Sequence, residues 1–579
     1  MKSRDETLRE SKKIFIISTT IIAVSSLAIF IPQIRELIIR FGELLIGRPL
    51  THEVWHGRFI GWEKRFLVIS IFVIFFPCIF TQVLESKQEI YLLEIIEKKE
   101  FLKCFCIFLI IFLLGILAII RANFNYVDDL GRTIDGDRGW DDFSRYISND
   151  LSVLIHTGTN LADISPLPQI IAVIFLSISG TLLLRILSDD KRFSIIKVFA
   201  LVPIGLSPYF LQCLSYKFDS PYMALSILVC IIPFLFVPKD FVQIDGKESF
   251  KKTLHFYLPY FYFSLMGVLM MCLTYQAASG IYPILVGLIA LKNWNKKKSF
   301  GVFLMVSISA YAMGIIIFKL FYMKIYDGYV SNRIAISSFF SNWKKYYALV
   351  KDDYKTWWNL LQICVVCLFP IVISKHSQRN KIIAFFAGVL AIMFVIIMAF
   401  GLYPLLSIPS YQPRAMYGLG VAFACVSFLV VDQTECFVCK IPSIIICWVF
   451  FVFSFIYGDA LAEQKRYTDF RIQVLISDLE SIPEFLTDEE KKIKLSGKID
   501  LSPVLNNEAE RFPIIKRLVP STLGNGWWWS EYYFYYHFSL QNVINVSDDD
   551  LNESNMTILK NGMYYKIKGD GETFVVEIQ

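Results

Sequence analysis

Long apolar runs separated by short charged segments dominate the pattern of this chain. Each run approaches the roughly 20 residues that a helix needs to cross a bilayer, where backbone polar groups must be paired within the segment. By this length criterion the pattern predicts about thirteen spans. They lie near residues 14–32, 65–83, 103–120, 169–185, 195–213, 223–237, 254–274, 279–291, 300–321, 358–374, 382–402, 415–431 and 442–458. We therefore expect an α-helical polytopic membrane protein.

The composition agrees with this pattern. Hydrophobic residues make up 55% of the chain and charged residues only 19%, whereas a soluble domain has about 25% charged residues. The net charge of +6 is spread over many loops, so no nucleic-acid site is expected. The first run follows a basic start but lacks a small-residue cleavage site, and we interpret it as a retained span.

The basic residues of the loops predict an orientation. With the N-terminus inside, nearly all inside loops carry lysine, which is the usual bias of cytoplasmic loops. The segment after residue 458 then lies outside. The loop 33–64 opposes this orientation, since it falls outside and yet carries Arg35, Arg40, Arg48, Arg58 and Lys64. An interfacial position of residues 14–47 is the alternative.

Three regions follow from the pattern: an N-terminal hairpin with its loops (1–102), a transmembrane core with a long outer loop at 121–168 (103–458), and an outer α+β domain (459–579). In the last region, residues 459–481 have the pattern of a polar helix, and KIKLSGKIDLS and MTILKNGMYYKIKGDGETFVVEIQ alternate as strands do. The segment STLGNGWWWSEYYFYYHFS lies between them. Its rings either fill a core or an interfacial belt, or contact a sugar.

The most unusual polar segment is RANFNYVDDLGRTIDGDRGWDDFSR, at 121–145, directly after the third run. Its neighbouring carboxylates Asp128 and Asp129 repel each other unless cations or hydrogen-bond donors compensate them. The arginines of the segment are candidates for that compensation. An acidic loop held together by surface ion pairs is the alternative interpretation.

Three further outer segments place polar groups at the membrane edge. Lys217 and Asp219 lie in LSYKFDSPYM, Tyr275 and Gln276 in LTYQAASGIYP, and Arg414 in LYPLLSIPSYQPRAMYG. Polar groups at membrane depth are costly and usually functional, so four such segments on one side predict one shared site. The alternatives are that Asp219 caps the following helix and that Arg414 snorkels to lipid head groups.

Other motifs are weak. Cys436 and Cys439 have the spacing of a metal-binding pair, but a second pair and a histidine partner are missing, which favours unpaired thiols. The sequence contains no glycine-rich phosphate loop and no HExxH motif.

Five segments in order, YVDDLGRTIDGDRGW, DISPLPQIIA, LSYKFDSPYMALS, TYQAASGIY and PRAMYG, resemble the Gtr-type (GtrII-like) O-antigen glucosyltransferases, the serotype-converting family of bacteria and their temperate phages. The resemblance covers about residues 105–458, and the C-terminal segment more loosely. It implies a GT-C type fold in the bacterial inner membrane with a periplasmic active site, and the loop charges place the C-terminal domain on that same side. This chain departs from the family by two additional N-terminal spans.

The resemblance also implies a reaction. A hexose, glucose in this family, moves from undecaprenyl phosphate glucose or a related polyprenyl-phosphate sugar to a lipopolysaccharide O-antigen or related surface glycan. A sugar hydroxyl is a poor nucleophile, so a carboxylate must accept its proton, and Asp128 or Asp129 is the expected base. The departing phosphate calls for cations, for which Arg414, Lys217 and Arg132 are the candidates.

The remaining polar residues are expected to bind the sugar or the acceptor: Asp219, Tyr275, Gln276, Trp140 and Arg145. No cofactor is assigned; a divalent metal is compatible with this chemistry but not required, because phosphate is already a good leaving group. The partners are then the lipid-linked sugar, the glycan acceptor and membrane lipid.

Two rival classes would also show about a dozen spans, namely a glycan polymerase and a lipid-linked oligosaccharide flippase. A flippase should carry charges through its span interiors, which are scarce here, and a polymerase would lack the acidic pair directly after a span. A non-enzymatic membrane scaffold gives no account of four polar outer segments.

A reporter fused after Gln579 tests the orientation. We expect an export-dependent reporter such as a periplasmic phosphatase to be active there, because the lysine-bearing loops place the last segment outside. A reporter that is active only in the cytoplasm, fused at the same position, is the matched control and should be silent. The reverse result would contradict the orientation and the outward site.

Overall fold

The computed structural model describes residues 99–579 apart from 189–193, 239–254, 299, 329, 488–489, 522, 525–533, 535–539, 541–542 and 546–555, together with a few isolated residues before 99. The predicted span near 14–32 lies outside the described residues, as does most of the span near 65–83. The tryptophan-rich part of the segment between the C-terminal strands also lies outside them.

Helices make up most of the described chain. They are α1 Lys99–Ala122, α2 Asp129–Asp135, α3 Tyr146–Ile155, α4 Leu167–Leu187, α5 Ile195–Leu201, α6 Pro203–Leu206, α7 Pro208–Ser215, α8 Ser220–Ile231, α9 Leu258–Thr274, α10 Ile281–Asn295, α11 Gly301–Phe321, α12 Phe339–Asp353, α13 Trp358–His376, α14 Lys381–Met398, α15 Gly418–Gln433, α16 Phe437–Glu480, α17 Pro503–Arg511 and α18 Ile515–Leu518.

Within the described residues, seven helices are long and apolar enough to cross a membrane, or eight if a bent pair counts as one span. The seven are Glu100–Ala122, Leu167–Leu187, Gln276–Asn295, Gly301–Phe321, Trp358–His376, Lys381–Met398 and Phe437–Glu480. Shorter apolar helices occupy Ser220–Phe236, Leu258–Thr274 and Gly418–Gln433. The helical membrane character is thus confirmed, whereas the number of thirteen spans stays a prediction.

The predicted span at 195–213 is bent. Its two halves, Ile195–Leu206 and Pro208–Ser215, meet at an angle of 56°, and Ser207 between them has an extended backbone with φ −61° and ψ 142°. Pro208 lacks an amide donor and disfavours a helical residue before it, which explains the break. Helix α7 therefore runs in a different direction from the helical half that precedes it.

The chain divides into two compact units. One contains 1–97, 232–273 and 298–324, and the other contains 98–231, 274–297 and 325–579. In the first unit, the Tyr260 hydroxyl hydrogen-bonds Ser307 Oγ at 2.8 Å, and its ring stacks on Phe303. These contacts pack α9 against α11. The predicted division into 1–102, 103–458 and 459–579 stays a prediction.

Helix α16 is the longest element of the second unit. Its 44 residues correspond to a length of about 66 Å at 1.5 Å per residue, so the predicted last span and the predicted polar helix form one continuous helix. A Cβ atom at Gly458 would lie 2.5 Å from the Cβ of Ala118. Helices α16 and α1 therefore cross in backbone contact, as small residues permit.

A five-stranded sheet lies near the C-terminus, as the alternating pattern predicted. Its order is β4-β3-β7-β6-β5, with β3 Lys491–Ser496, β4 Val543–Asn545, β5 Thr557–Asn561, β6 Tyr565–Gly569 and β7 Thr573–Ile578. Strand β3 runs parallel to β4 and β7, and the other pairs are antiparallel. Ile472, Leu475 and Leu479 of α16 pack into the core of this sheet. A separate short pair joins β1 Ser331–Ile334 to β2 Leu406–Ile408.

Candidate functional site

The acidic segment leaves α1 through an unusual backbone conformation. Asn123 and Val127 have φ values of 43° and 47°, in the left-handed region that a β-branched residue such as valine rarely enters. Helix α2 then begins at Asp129 and ends before Gly136, whose φ of 66° allows the turn. Strained backbone of this kind is typical of sites whose geometry is fixed by their surroundings.

Asp129 is the residue that fixes the segment. Its side chain is fully buried, and Oδ2 accepts hydrogen bonds from the backbone N–H groups of Tyr126 at 2.9 Å and Lys217 at 3.0 Å. Burial raises the pKa of this carboxyl well above its usual range, which the two amide donors only partly oppose. Asp129 thus joins the acidic segment to the segment before α8.

Asp128 is placed differently from its neighbour. It is half-buried, its side chain does not cap α2, and within the described residues its carboxylate has no hydrogen bond to another group. Burial has the largest effect on the pKa of this carboxyl and raises it. The guanidinium groups of Arg414, Arg132 and Arg145 lower the pKa, and the charge of Asp219 raises it. The carboxylate therefore lies near three cations and is not hydrogen-bonded by the described residues.

Asp219, Arg132 and Trp140 form a buried triad beside Asp128. Arg132 Nε lies 3.3 Å from Asp219 Oδ2, and Trp140 Nε1 donates to Asp219 Oδ1 at 2.5 Å. The guanidinium also lies 4.0 Å from the centre of the Trp140 ring. The Asp219 carbonyl accepts the amides of Tyr222 and Met223 at the start of α8, but its carboxylate faces the triad and not the helix end.

Lys217 is committed to other protein groups. Its side chain is 5% exposed, and Nζ donates to Asn125 Oδ1 at 2.6 Å and to Asp163 Oδ2 at 3.0 Å. A phosphate would therefore compete with Asp163 for this ammonium. The contacts join the acidic segment, the loop before α4 and the segment before α8.

Arg145, Tyr275 and Gln276 form another side of the site. Arg145 Nε donates to Gln276 Oε1 at 3.2 Å, and its guanidinium lies 4.4 Å from the centre of the Tyr275 ring. Gln276 Nε2 in turn donates to the Phe143 carbonyl at 2.9 Å. The segment before α10 is thus held against the acidic segment.

Arg414 reaches the site from a short 3-10 turn, Pro413–Ala415. Its Nη1 donates to the Tyr216 hydroxyl, and its backbone N–H donates to Gln212 Oε1 at 2.5 Å. Both partners belong to α7 or follow it directly. The side chain of Arg414 is thus directed toward α7 and Asp128, which is more than head-group snorkelling requires.

All ten residues that the sequence assigned to a site lie in this one cluster: Asp128, Asp129, Arg132, Trp140, Arg145, Lys217, Asp219, Tyr275, Gln276 and Arg414. Gln212 and Tyr216, which hold Arg414, were missed. Gln212 is an amide inside an apolar run, and this signal could have identified it.

Metal ligands are not grouped in the part of the chain that the structure describes. No set of three or more His, Cys, Asp or Glu residues there could hold a metal ion. Cys436 and Cys439 are free thiols.

Comparison with known proteins connects this cluster to a family. The family described as glucosyl transferase GtrII matches residues 117–425, a range that includes all ten residues. A protein of Salmonella phage P22, described as an uncharacterized 55.3 kDa protein in the gtrB 5′ region, is 23% identical over 429 residues, which are 69% of this chain and 83% of the relative. No solved structure matches the chain significantly.

The two adjacent aspartates should differ in their effect on stability. We expect Asp129→Ala to lower the free energy of unfolding by about 1–3 kcal/mol, because two buried amides lose their acceptor. Asp128→Ala, the matched control, should lower it less, since it removes no hydrogen bond within the described residues. Thermal unfolding of the detergent-solubilised variants measures the difference. Equal midpoints would contradict a fixing role for Asp129.

Proposed function

This chain belongs to the glucosyl transferase GtrII family, and we propose that it transfers glucose from undecaprenyl phosphate glucose to a lipopolysaccharide O-antigen or related surface glycan. The reaction would take place at the periplasmic face of the bacterial inner membrane. Family membership supports the glucosyl transfer and the O-antigen context. The donor, the acceptor and the orientation are our proposals, and the polar cluster supports them.

The environment of Asp128 carries the proposal. A general base needs a carboxylate that is within reach of the substrate and not already hydrogen-bonded by the protein. Asp128 is half-buried and is not hydrogen-bonded by the described residues, whereas Asp129 is fully buried and accepts two amide hydrogen bonds on one oxygen. We therefore assign the base to Asp128 and give Asp129 a positioning role.

The transfer is then a single displacement. The acceptor hydroxyl gives its proton to Asp128 while its oxygen bonds to the anomeric carbon. The bond from that carbon to the phosphate oxygen breaks, and the electron pair leaves with the lipid phosphate. Because the acceptor oxygen attacks the anomeric carbon opposite the departing phosphate in a single displacement, the anomeric configuration inverts.

Arg414 is proposed to bind the phosphate of the donor. A guanidinium has five N–H donors in a planar arrangement, and this geometry matches the oxygens of a phosphate group. Charge-assisted hydrogen bonds from such donors stabilise the negative charge that develops on the leaving oxygen. Arg132 adds positive charge from its buried position, and Lys217 is a weaker candidate because Asp163 already pairs with it.

The sugar and the acceptor are proposed to lie against Arg145, Tyr275 and Gln276, with Asp219 and Trp140 supporting the site from behind. The Tyr275 ring stacks on Tyr417, and the Arg145 guanidinium lies 4.4 Å from the centre of the Tyr275 ring. A glycan polymerase or a lipid-linked oligosaccharide flippase remains the alternative function, but no observation specifically favours either.

Replacing the base tests the assignment. We expect Asp128→Asn to reduce transfer by about 10²- to 10⁴-fold, the usual contribution of a general base, while the protein still accumulates in the membrane. Release of polyprenyl phosphate by purified protein measures it. Asp135→Asn, an exposed aspartate of the same segment, is the matched control and should be fully active.

The pH dependence of the parent protein gives a second readout of the same residue. Only the ionised carboxylate accepts a proton, so kcat/KM should fall as the pH drops through the pKa of Asp128. Because burial raises that pKa, the fall should begin at a higher pH than an exposed aspartate would give. Full activity of Asp128→Asn, or an acid limb in the usual range of aspartate, would contradict the assignment.

Arg414→Lys distinguishes phosphate binding from snorkelling. A lysine keeps the positive charge but cannot bind a phosphate through two N–H groups while it also holds Tyr216. We expect donor affinity and turnover to fall by roughly 10- to 100-fold, the cost of one or two charge-assisted hydrogen bonds. Arg333→Lys, an exposed arginine in the same unit, is the control. Donor affinity and turnover equal to those of the parent protein would leave snorkelling as the better explanation.

A further inference from the structure

Two consecutive residues at the end of α18, Arg517 and Leu518, contact both segments of the proposed active site. Arg517 Nη2 donates to the Tyr411 carbonyl and lies 3.5 Å from the sulfur of Met416. Tyr411 and Met416 flank Arg414 by three and two residues. Arg517 therefore contacts the chain on both sides of the proposed phosphate ligand, through the backbone of Tyr411 and the side chain of Met416.

The carbonyl of Leu518 holds the acidic segment. It accepts the Tyr126 hydroxyl at 2.5 Å and the Tyr457 hydroxyl at 3.3 Å. Tyr126 is fully buried and lies two residues before Asp128. One turn of backbone near the C-terminus thus contacts the segment of the proposed base and the segment of the proposed phosphate ligand.

The side chain of Gln212 joins the two segments through two hydrogen bonds, which we call the Gln212 circuit. Its Nε2 donates to the Tyr126 hydroxyl at 2.7 Å, while its Oε1 accepts the backbone N–H of Arg414 at 2.5 Å. A single amide side chain therefore fixes both segments at once. Both functional groups of this amide are used, so its orientation is determined.

A buried ion pair anchors Arg517 itself. Its Nη1 bonds to Asp353 Oδ2, and the Tyr209 hydroxyl donates to the same oxygen at 2.8 Å. The Asp353 side chain is only 2% exposed, and a buried carboxylate that lost its cation would be strongly destabilised. Since Tyr209 lies one turn before Gln212 on α7, the anchor and the circuit share that helix.

We propose that Arg517 and the Leu518 carbonyl form a positioning clamp, which sets the distance between the Asp128 segment and the Arg414 segment. The inference rests on the proposed function for the meaning of that distance. Neither residue contacts substrate in this scheme. The clamp acts on the chemical step because a base and a phosphate ligand that move apart by about 1 Å can lose on the order of 100-fold in rate.

Arg517→Lys is the informative variant. A lysine still pairs with Asp353, so the protein should fold and accumulate, but its single ammonium cannot also reach the Tyr411 carbonyl as the forked guanidinium does. We expect kcat to fall about 10- to 100-fold, the effect of a displaced catalytic group, with a smaller change in KM. Lys516→Met, an exposed neighbour on the same helix, is the matched control and should behave as the parent.

Tyr126→Phe is the second variant. It removes one hydroxyl from the circuit, leaves the ring in place and does not touch Arg517. The clamp predicts the same fall in kcat, because the Asp128 segment loses its bonds to Leu518 and Gln212. A similar fall in kcat in Arg517→Lys and Tyr126→Phe would indicate a shared positioning effect, because a local disturbance at one residue would affect only one of the two variants.

Hydrogen exchange of the full-length protein without substrate gives a readout that does not depend on activity. The clamp predicts faster exchange of amides in 123–131 and 409–416 in both variants and unchanged exchange in Lys516→Met. Unchanged exchange in both segments, or kcat equal to the parent in Arg517→Lys and Tyr126→Phe, would overturn the clamp. If the parent transfers no sugar from a polyprenyl phosphate, the proposed function fails, and the exchange result alone decides the clamp.

Discussion

A carboxylate removed from water must find hydrogen-bond donors, and Asp129 finds them in two backbone amides far apart in the chain. One amide belongs to Tyr126 and the other to Lys217. Because both bonds end on one oxygen, the acidic segment and the segment before α8 cannot separate without exposing a buried group. The carboxylate of the adjacent Asp128, by contrast, is not hydrogen-bonded by the described residues. The geometry of the cluster follows from that division of roles.

Charge compensation is arranged around this fixed point. Each of the three arginines near Asp128 binds a different partner: Arg132 an aspartate and a tryptophan ring, Arg145 a glutamine and a tyrosine ring, and Arg414 a tyrosine hydroxyl. The positive charge of these three side chains opposes the rise in the pKa of Asp128 that burial causes.

The sequence was most informative where desolvation decides the structure. Apolar runs in a membrane must form helices, and each predicted span from residue 103 onward contains a helix in the structure. Polar residues at the ends of these runs are costly to bury unless they are grouped, and the ten residues assigned to a site lie in one cluster. The tertiary contacts could not be predicted from the hydropathy pattern. Adjacent Asp128 and Asp129 look alike in sequence, and only their amide partners separate their roles; Asp353 and Arg517 are 164 residues apart. The continuity of α16 was missed because hydropathy changes at 458 although the helix does not end.

Helix α16 explains how a distant C-terminal region can affect the site. Gly458 lies inside this helix, where glycine costs about 1 kcal/mol relative to alanine, but a Cβ there would collide with the backbone of α1 at Ala118. The close crossing thus offsets the cost and fixes α1, whose end leads into the acidic segment. The preceding residue, Tyr457, hydrogen-bonds Ser215 of α7 at 2.8 Å and the Leu518 carbonyl at 3.3 Å. Two adjacent residues of one continuous helix therefore contact α1, α7 and α18, and these contacts attach the acidic segment and α7 to the helix that carries the C-terminal sheet.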